Sequence, residues 1–282
     1  MNYRHAFHAG NFADVVKHVT LTRILAYLRR KDAPFRVIDT HAGVGLYDLA
    51  GDAAGRTGEW REGIARLMAR GLPPPAAALV APYLAAVAAQ NPDGALRYYP
   101  GSPFIARHLL RPQDRLMALE LHPADAEALR QNFAGDIQTR VTHLDGWAAL
   151  GTHLPPREKR GLVLVDPPFE LEGEFARMTQ NLTKAHKRWP GGIYAFWYPL
   201  KQPEAVEAYT KALRATGIAK ILRLELTIRP PSTPPRLHGS GMIIVNPPYV
   251  LEDEMRLLLP TLAELLSDDG RGRWKMEWLA GE

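Results

Sequence analysis

Cysteine is absent from this 282-residue chain. That excludes disulfides, thiolate nucleophiles and cysteine-ligated zinc, and with them the disulfide-stapled secreted scaffolds. Long apolar runs are also missing: none approaches the roughly 20 residues a bilayer-spanning helix needs. The first residues, Met1-Asn2-Tyr3-Arg4-His5, are polar, so neither a signal peptide nor a membrane span is expected, and the expected compartment is the cytoplasm. There is no internal repeat and no low-complexity tract. A strong excess of one charge is missing too. The net +5 permits a polyanionic partner without requiring one. What remains, 46% hydrophobic and 23% charged residues, is the composition of an ordinary globular domain.

Apolar periodicity predicts a helix over 11–30, capped by Asn11 with Asp14 in its first turn. Phe35 to Asp39 reads as a strand running into a glycine-bearing turn, Thr40-His41-Ala42-Gly43-Val44-Gly45. Helical stretches at 59–70 and 76–90 follow, separated by Pro73-Pro74-Pro75, with no convincing strand between 46 and 114. Further strands are expected at 115–120, 140–145, 161–165, 192–197, 219–228 and 241–246, with helices at 123–134 and 203–216. The segment 229–236 holds four prolines and reads as an exposed loop. Strands alternating with helices indicate an α/β fold: a Rossmann-like, mostly parallel sheet of seven strands, covered on both faces. The chain is expected to be one domain, 1–282, with a helical insertion at 46–114.

Ligands of such sheets bind at the carboxyl ends of the strands. Four predicted strand ends carry distinctive residues there: Asp39 to Gly45, Glu120, Asp145 and Asp166. Gly43 and Gly45 allow a sharp turn and close approach to a ligand. Glu120 can accept both ribose hydroxyls of a nucleoside, although alone it would read as a solvated acid. Asp145-Gly146 can meet an adenine amine, or be a plain turn. Asp166-Pro167-Pro168-Phe169 is the most specific signal. Its carboxylate and the Pro167 carbonyl can accept from a planar amine while the Phe169 ring stacks on its face, which is the logic of amino-group methylation on an adenine. Nothing supplies a hydride-transfer site, and several acids around one pocket favour a positively charged sulfonium.

Taken in this order, these motifs resemble the S-adenosylmethionine-dependent adenine-N6 methyltransferases. More narrowly the chain resembles the RlmJ family, which methylates an adenine of 23S ribosomal RNA. The resemblance is carried by Tyr3 to Asn11, Asp14 to His18, Asp39 to Gly43, Arg56-Thr57-Gly58-Glu59, Arg97 to Pro103, Glu120-Leu121-His122-Pro123, Asp145-Gly146, Asp166 to Phe169 and Tyr194 to Pro199. These stretches run through nearly the whole chain. The resemblance implies S-adenosylmethionine as cofactor, held by His18, His41, Gly43, Ser102, Glu120, Asp145, Gly146 and Asp166. It implies that Asp166, Pro167, Pro168 and Phe169 carry the chemistry, and that Tyr3, Arg4 and Phe169 meet the RNA. A monomer is expected. His41 stands where many methyltransferase loops have their first glycine, as this family does, and Phe169 where Tyr is common, which keeps stacking but loses a hydroxyl.

Rival signals are weaker. Asn246-Pro247-Pro248-Tyr249 also follows an apolar strand, but as the end of the last strand it reads as structural. His5, His8 and His18 lie close together without an acid completing a ligand set, so no metal is expected. Trp189, Tyr194, Trp197 and Tyr198 read mostly as core, and Lys184, Lys187 and Arg188 as a solvated face. Two other functions fit the same motifs: a DNA adenine-N6 methyltransferase, against which there is no separate base-reading domain, and a non-catalytic RNA-binding ribosome-assembly factor, against which the acid set is intact.

Overall fold

The computed structural model describes residues 5–281. The chain begins with α1 (Phe12–Leu28), β1 (Arg36–Asp39) and β2 (Leu46–Asp48), followed by α2 (Asp52–Thr57), α3 (Ile64–Ala69) and α4 (Pro74–Ala88). Next come β3 (Tyr98–Pro100), α5 (Ser102–Leu109), β4 (Arg115–Glu120), α6 (Pro123–Asn132), β5 (Thr139–His143) and α7 (Gly146–Thr152). The remainder is β6 (Gly161–Val165), α8 (Glu174–Arg188), β7 (Ile193–Leu200), α9 (Pro203–Arg214), β8 (Ile221–Thr227), β9 (Gly239–Val245), α10 (Leu251–Leu266) and β10 (Arg273–Ala280).

Eight strands form the main sheet in the order β10-β8-β9-β7-β6-β1-β4-β5. Strands β1, β4, β5, β6 and β7 pair in parallel, and β8 keeps their direction because β9 runs antiparallel to both β7 and β8. The seven-strand expectation is therefore one short. The missing strand, β10, pairs antiparallel with β8 at the edge. Its sequence, Arg273-Trp274-Lys275-Met276-Glu277-Trp278, has no apolar run, as suits an edge strand open to water, and that hides it from a search for buried strands. The expectation of no strand in 46–114 is also corrected, because β2 and β3 form a two-stranded antiparallel ladder there.

Strand residues alternate between two cores. Leu162 and Leu164 of β6 pack with α1, α4, α5 and α10, whereas Val163 and Val165 pack with α7, α8 and α9. Helix α1 is central to the first layer: fifteen of its seventeen residues are buried, so it is enclosed nearly all round. The Asn11 side chain accepts from the N–H groups of Ala13 and Asp14, a cap worth about 1 kcal/mol. Its few charged residues are buried with it and must find partners inside. Among the described residues no helix is long and apolar enough to cross a membrane.

Candidate active site

The carboxyl ends of β1, β4 and β6 open onto a cavity of about 290 Å³, near the lower end for small-molecule pockets, roughly 300 Å³ upward. His18, His41, Gly43, Ser102, Glu120, Asp145, Gly146 and Asp166 all line it. The structure thus gathers around one space residues that lie up to 148 positions apart (166 − 18). Tyr3 and Arg4 lie outside the described residues.

The backbone around the cavity fixes these groups. Gly43 has φ +60°, and a Cβ there would meet the Tyr47 hydroxyl at 2.2 Å. Its N–H donates to Glu120 Oε2 at 2.9 Å, and the His122 N–H donates to Oε1 at 2.7 Å. Two backbone donors thus hold the carboxylate at the cavity wall with lone pairs to spare. Asp145 caps α7 by accepting from the Trp147 N–H, and its other oxygen accepts from Arg177 at 3.2 Å. Gly146 is glycine for packing, not for ligand approach: a Cβ would lie 2.1 Å from the Thr40 carbonyl oxygen. Burial pushes the His41 imidazole down to about 4, so it is neutral near pH 7.

Helix α1 adds its buried polar face. Lys17 Nζ lies 2.8 Å from Asp14 Oδ1 and also pairs closely with Asp166 Oδ2. Burial opposes charge on Lys17, but the two carboxylates hold it protonated well above the ordinary lysine range. Burial likewise opposes charge on Asp14, yet His5, Lys17 and His18 hold it well below the usual carboxylate range. Burial keeps His18 well below the ordinary histidine value. Its Nδ1 is 2.6 Å from the Tyr99 hydroxyl, itself 2.9 Å from that of Tyr83. The arrangement that gives each hydroxyl proton an acceptor puts the His18 proton on Nε2, a buried atom with no partner among the described residues. It is a spare donor in the wall, suited to an acceptor group of a ligand.

A second hollow of about 140 Å³ adjoins the first. His5, Lys17, Asp166 and Pro168 line both, while Phe169 and Trp197 line only the second. Phe169 has φ +51°, strained for an aromatic residue at about 1–3 kcal/mol. The kink aims its ring at Trp197 and Phe175, with centroids 5.9 and 5.1 Å away at steep angles. Trp197 is therefore a wall of this hollow, while Tyr194, Tyr198 and Trp189 are core.

Sequence reasoning missed Lys17, Arg177, Trp197 and the Tyr83–Tyr99 pair as site residues. One signal was available: Asp14 and Lys17 form a charged i,i+3 pair inside a largely apolar helix. The other three are brought in by tertiary packing alone. The rival Asn246 lies elsewhere. Strand β9 is antiparallel, so its end points to the opposite edge of the sheet, and Asn246 Nδ2 donates to the carbonyls of Pro190 and Gly192, both at 2.7 Å. It is not the end of the last strand, which is β10. Lys184 and Lys187 are exposed on α8, as a solvated face would be.

Acids on strand ends, a buried-histidine wall and an Asp-Pro-Pro-Phe turn gathered around one cavity of a Rossmann-like sheet are the arrangement of an S-adenosylmethionine-dependent methyltransferase. Comparison with known proteins narrows this. The family model for ribosomal RNA large subunit methyltransferase D, RlmJ, matches residues 32–280. The chain is 44% identical to ribosomal RNA large subunit methyltransferase J of Escherichia coli strain K12 over 282 residues, the full length of both. To the protein of the same name from Haemophilus influenzae it is 43% identical over 284 aligned positions, again the full length of both. A crystal structure of a Legionella pneumophila protein superposes with a TM-score of 0.86 at 36% identity, covering 96% of this chain and 98% of that one. This chain belongs to the RlmJ family of ribosomal RNA methyltransferases.

Proposed function

We propose that the enzyme methylates N6 of an adenine in 23S ribosomal RNA, as a cytoplasmic protein. The observation that carries this reading is the meeting of two hollows at Asp166, one walled by strand-end acids and the other by Phe169 and Trp197. A nucleoside-sized methyl donor fits the first and a flipped or unpaired base the second.

S-adenosylmethionine, when bound, supplies an electrophilic methyl group on a sulfonium. Glu120 is set to accept the ribose hydroxyls, Asp145 and Gly146 to meet the adenine end, and His18 Nε2–H to donate to the carboxylate end, with His41 and Ser102 completing the wall. Asp14 and Asp166 carry two negative charges against the one positive charge of Lys17. The net negative charge favours a cationic donor.

On the other side, Phe169 stacks on the target adenine with Trp197 at its edge. The Asp166 carboxylate and the Pro167 carbonyl accept from N6 and turn the nitrogen lone pair toward the donor. Lys17 pins Asp166 to α1, so the carboxylate holds the amine in place. No strong base is needed, because the nitrogen proton becomes acidic once the fourth bond has formed. Catalysis is positioning and electrostatics. Residues 46–114 act as an inserted subdomain that closes the cavity with Tyr47, Gly101 and Ser102 and backs His18 with Tyr99 and Tyr83, and Tyr3 and Arg4 add RNA contacts.

The test is to incubate the protein with labelled S-adenosylmethionine and unmodified 23S RNA, and in parallel with duplex DNA, then digest to nucleosides. Label in N6-methyladenosine from RNA alone is the expected result. Label from DNA would move the reading to a DNA methyltransferase. Saturable RNA binding with no label would make the protein an assembly factor.

A further inference from the structure

We propose that the substrate RNA leaves the base hollow along a basic rim formed by the antiparallel end of the sheet, and docks its phosphates on Arg271 and Arg273 with Trp274 stacking on a flanking base. This rests on the RNA reading above and extends it to the part of the RNA outside the target nucleotide.

Sheet register places this rim beside the site. Leu200 at the end of β7 is opposite Gly239 of β9, Gly239 is opposite Thr227 at the end of β8, and Thr227 is opposite Arg273 of β10. These residues form one row along the edge of the sheet that carries Asp166, because β9 and β10 begin where the parallel strands end. Three strand spacings separate Leu200 from Arg273, about 15 Å, a span suited to a few nucleotides.

The hollows along the row are continuous. Lys201 lines both the base hollow and a polar hollow of about 430 Å³. That hollow shares His238 and Lys275 with a further one of about 440 Å³, which ends on Arg271, Arg273 and Trp274. Lys201, Arg271 and Arg273 are exposed, and none has an ion-pair partner among the described residues. Of the acids nearby, Glu225 pairs with Arg223, Glu277 with Arg223 and Lys275, and Asp268 with Arg229; Asp269 accepts from the Arg271 N–H at 2.9 Å, and Glu207 also lines the polar hollow. Trp274 is 39% exposed and lines the same hollow as Arg271 and Arg273, an aromatic ring beside cations of the kind that single-stranded nucleic acid recognises. Charges on an edge strand ordinarily guard against strand addition. That role explains neither the exposed indole nor the unbroken path to the base hollow.

The experiment measures binding of a 23S RNA transcript to the wild type, to the Arg271→Ala/Arg273→Ala variant and to Trp274→Ala, as a function of salt, with turnover at saturating RNA and S-adenosylmethionine affinity measured alongside. In the double variant the slope of log affinity against log salt should become shallower by about 1.4, at roughly 0.7 per phosphate contact on a single strand. Affinity should drop about tenfold or more at moderate salt, with turnover at saturation and cofactor affinity unchanged. Arg271→Lys/Arg273→Lys should restore most of the loss, and Trp274→Ala should weaken binding without altering the slope. Unchanged affinity and slope in both alanine variants, with a wild type that still methylates RNA, would overturn the rim alone. A wild type that neither binds nor methylates RNA would overturn the function reading and the rim with it.

Discussion

Two tetrapeptides of nearly the same form occupy opposite ends of one sheet. Asp166-Pro167-Pro168-Phe169 follows β6, and Asn246-Pro247-Pro248-Tyr249 follows β9. Each turns the chain through a left-handed residue, Phe169 at φ +51° and Asn246 at φ +52°. Strand direction separates them. Because β6 is parallel to its neighbours and β9 antiparallel, the first faces the strand-end acids and α1 while the second faces Pro190 and Gly192. The first spends its polar group on Lys17 and a cavity, the second on two backbone carbonyls. A motif of this kind takes its chemistry from the edge of the sheet it reaches.

Exchanging the polar residue of each turn should break the comparison most sharply. Asp166→Ala should lower methyl transfer at least about 100-fold, the scale for removing a positioned polar group at a reacting atom, while the protein stays folded. Asn246→Ala loses an exposed hydrogen bond to the Pro190 carbonyl and a part-buried one to that of Gly192 and should cost about 1–3 kcal/mol of stability, with turnover per folded molecule retained. Denaturant melts and single-turnover assays on both variants read this directly. Full activity in the first, or abolished transfer in a folded second, would reverse the roles.

Next in size is the partner of Asp166. Lys17→Met leaves Asp14 and Asp166 buried without their cation, and breaking such a buried pair costs about 3–5 kcal/mol. Because unpaired carboxylates are relieved by protonation, the deficit should shrink as the pH is lowered toward 4. A deficit that does not change with pH would mean that Lys17 serves packing rather than charge.

The aromatic residues of the two turns sharpen the same contrast. Phe169→Ala should lower kcat/KM for RNA by about 5- to 150-fold, the equivalent of about 1–3 kcal/mol of base stacking, with cofactor affinity unchanged. Tyr249 is 76% exposed, packs edge-on against Tyr27 at 5.6 Å and accepts a long, exposed hydrogen bond from Arg30 at 3.4 Å. Its alanine variant should stay within about 0.5 kcal/mol of the wild type, as exposed substitutions do. Equal losses in the two variants would remove the distinction.

Much of the cavity edge was legible because most parallel strands announce themselves as apolar runs and their ends point one way. Glu120 and Asp166 close such runs, Asp145 follows the more polar, alternating stretch Arg140 to Leu144, and the alternation of strands with helices implied that they converge. His18 and Ser102 came from family resemblance rather than spacing, since neither ends a strand. Lys17 and Trp197 were hidden by their surroundings. One sits in a helix whose periodicity is largely apolar, the other on a strand that reads as core, and only the packing of α1 against β6 and β7 exposes them to the site. Strand β10 was hidden for the opposite reason: it is an edge strand whose charges face water, so no buried pattern marks it.

Asp39 and His41 flank the turn after β1 and carry an effect that shows only in the pH dependence. Neither oxygen of Asp39 has a well-formed hydrogen bond among the described residues, and burial, partly opposed by the nearby Ser102 hydroxyl and Lys17, pushes the carboxyl up to about 7 from an ordinary 3.8. The folded chain therefore holds that proton more tightly than the unfolded chain, so stability should fall as pH rises from about 4 to 7. His41 runs the other way. Held neutral down to about 4 against an ordinary 6.5, it contributes a loss of stability as pH falls through that window. Asp39→Asn should remove the alkaline-side slope and leave the acid-side one, so that the variant gains on the wild type by up to a few kcal/mol between pH 4 and 7.5. Thermal melts across that range would show the two stability curves diverging toward high pH. Parallel curves would mean that Asp39 ionises in the fold as it does in the open chain.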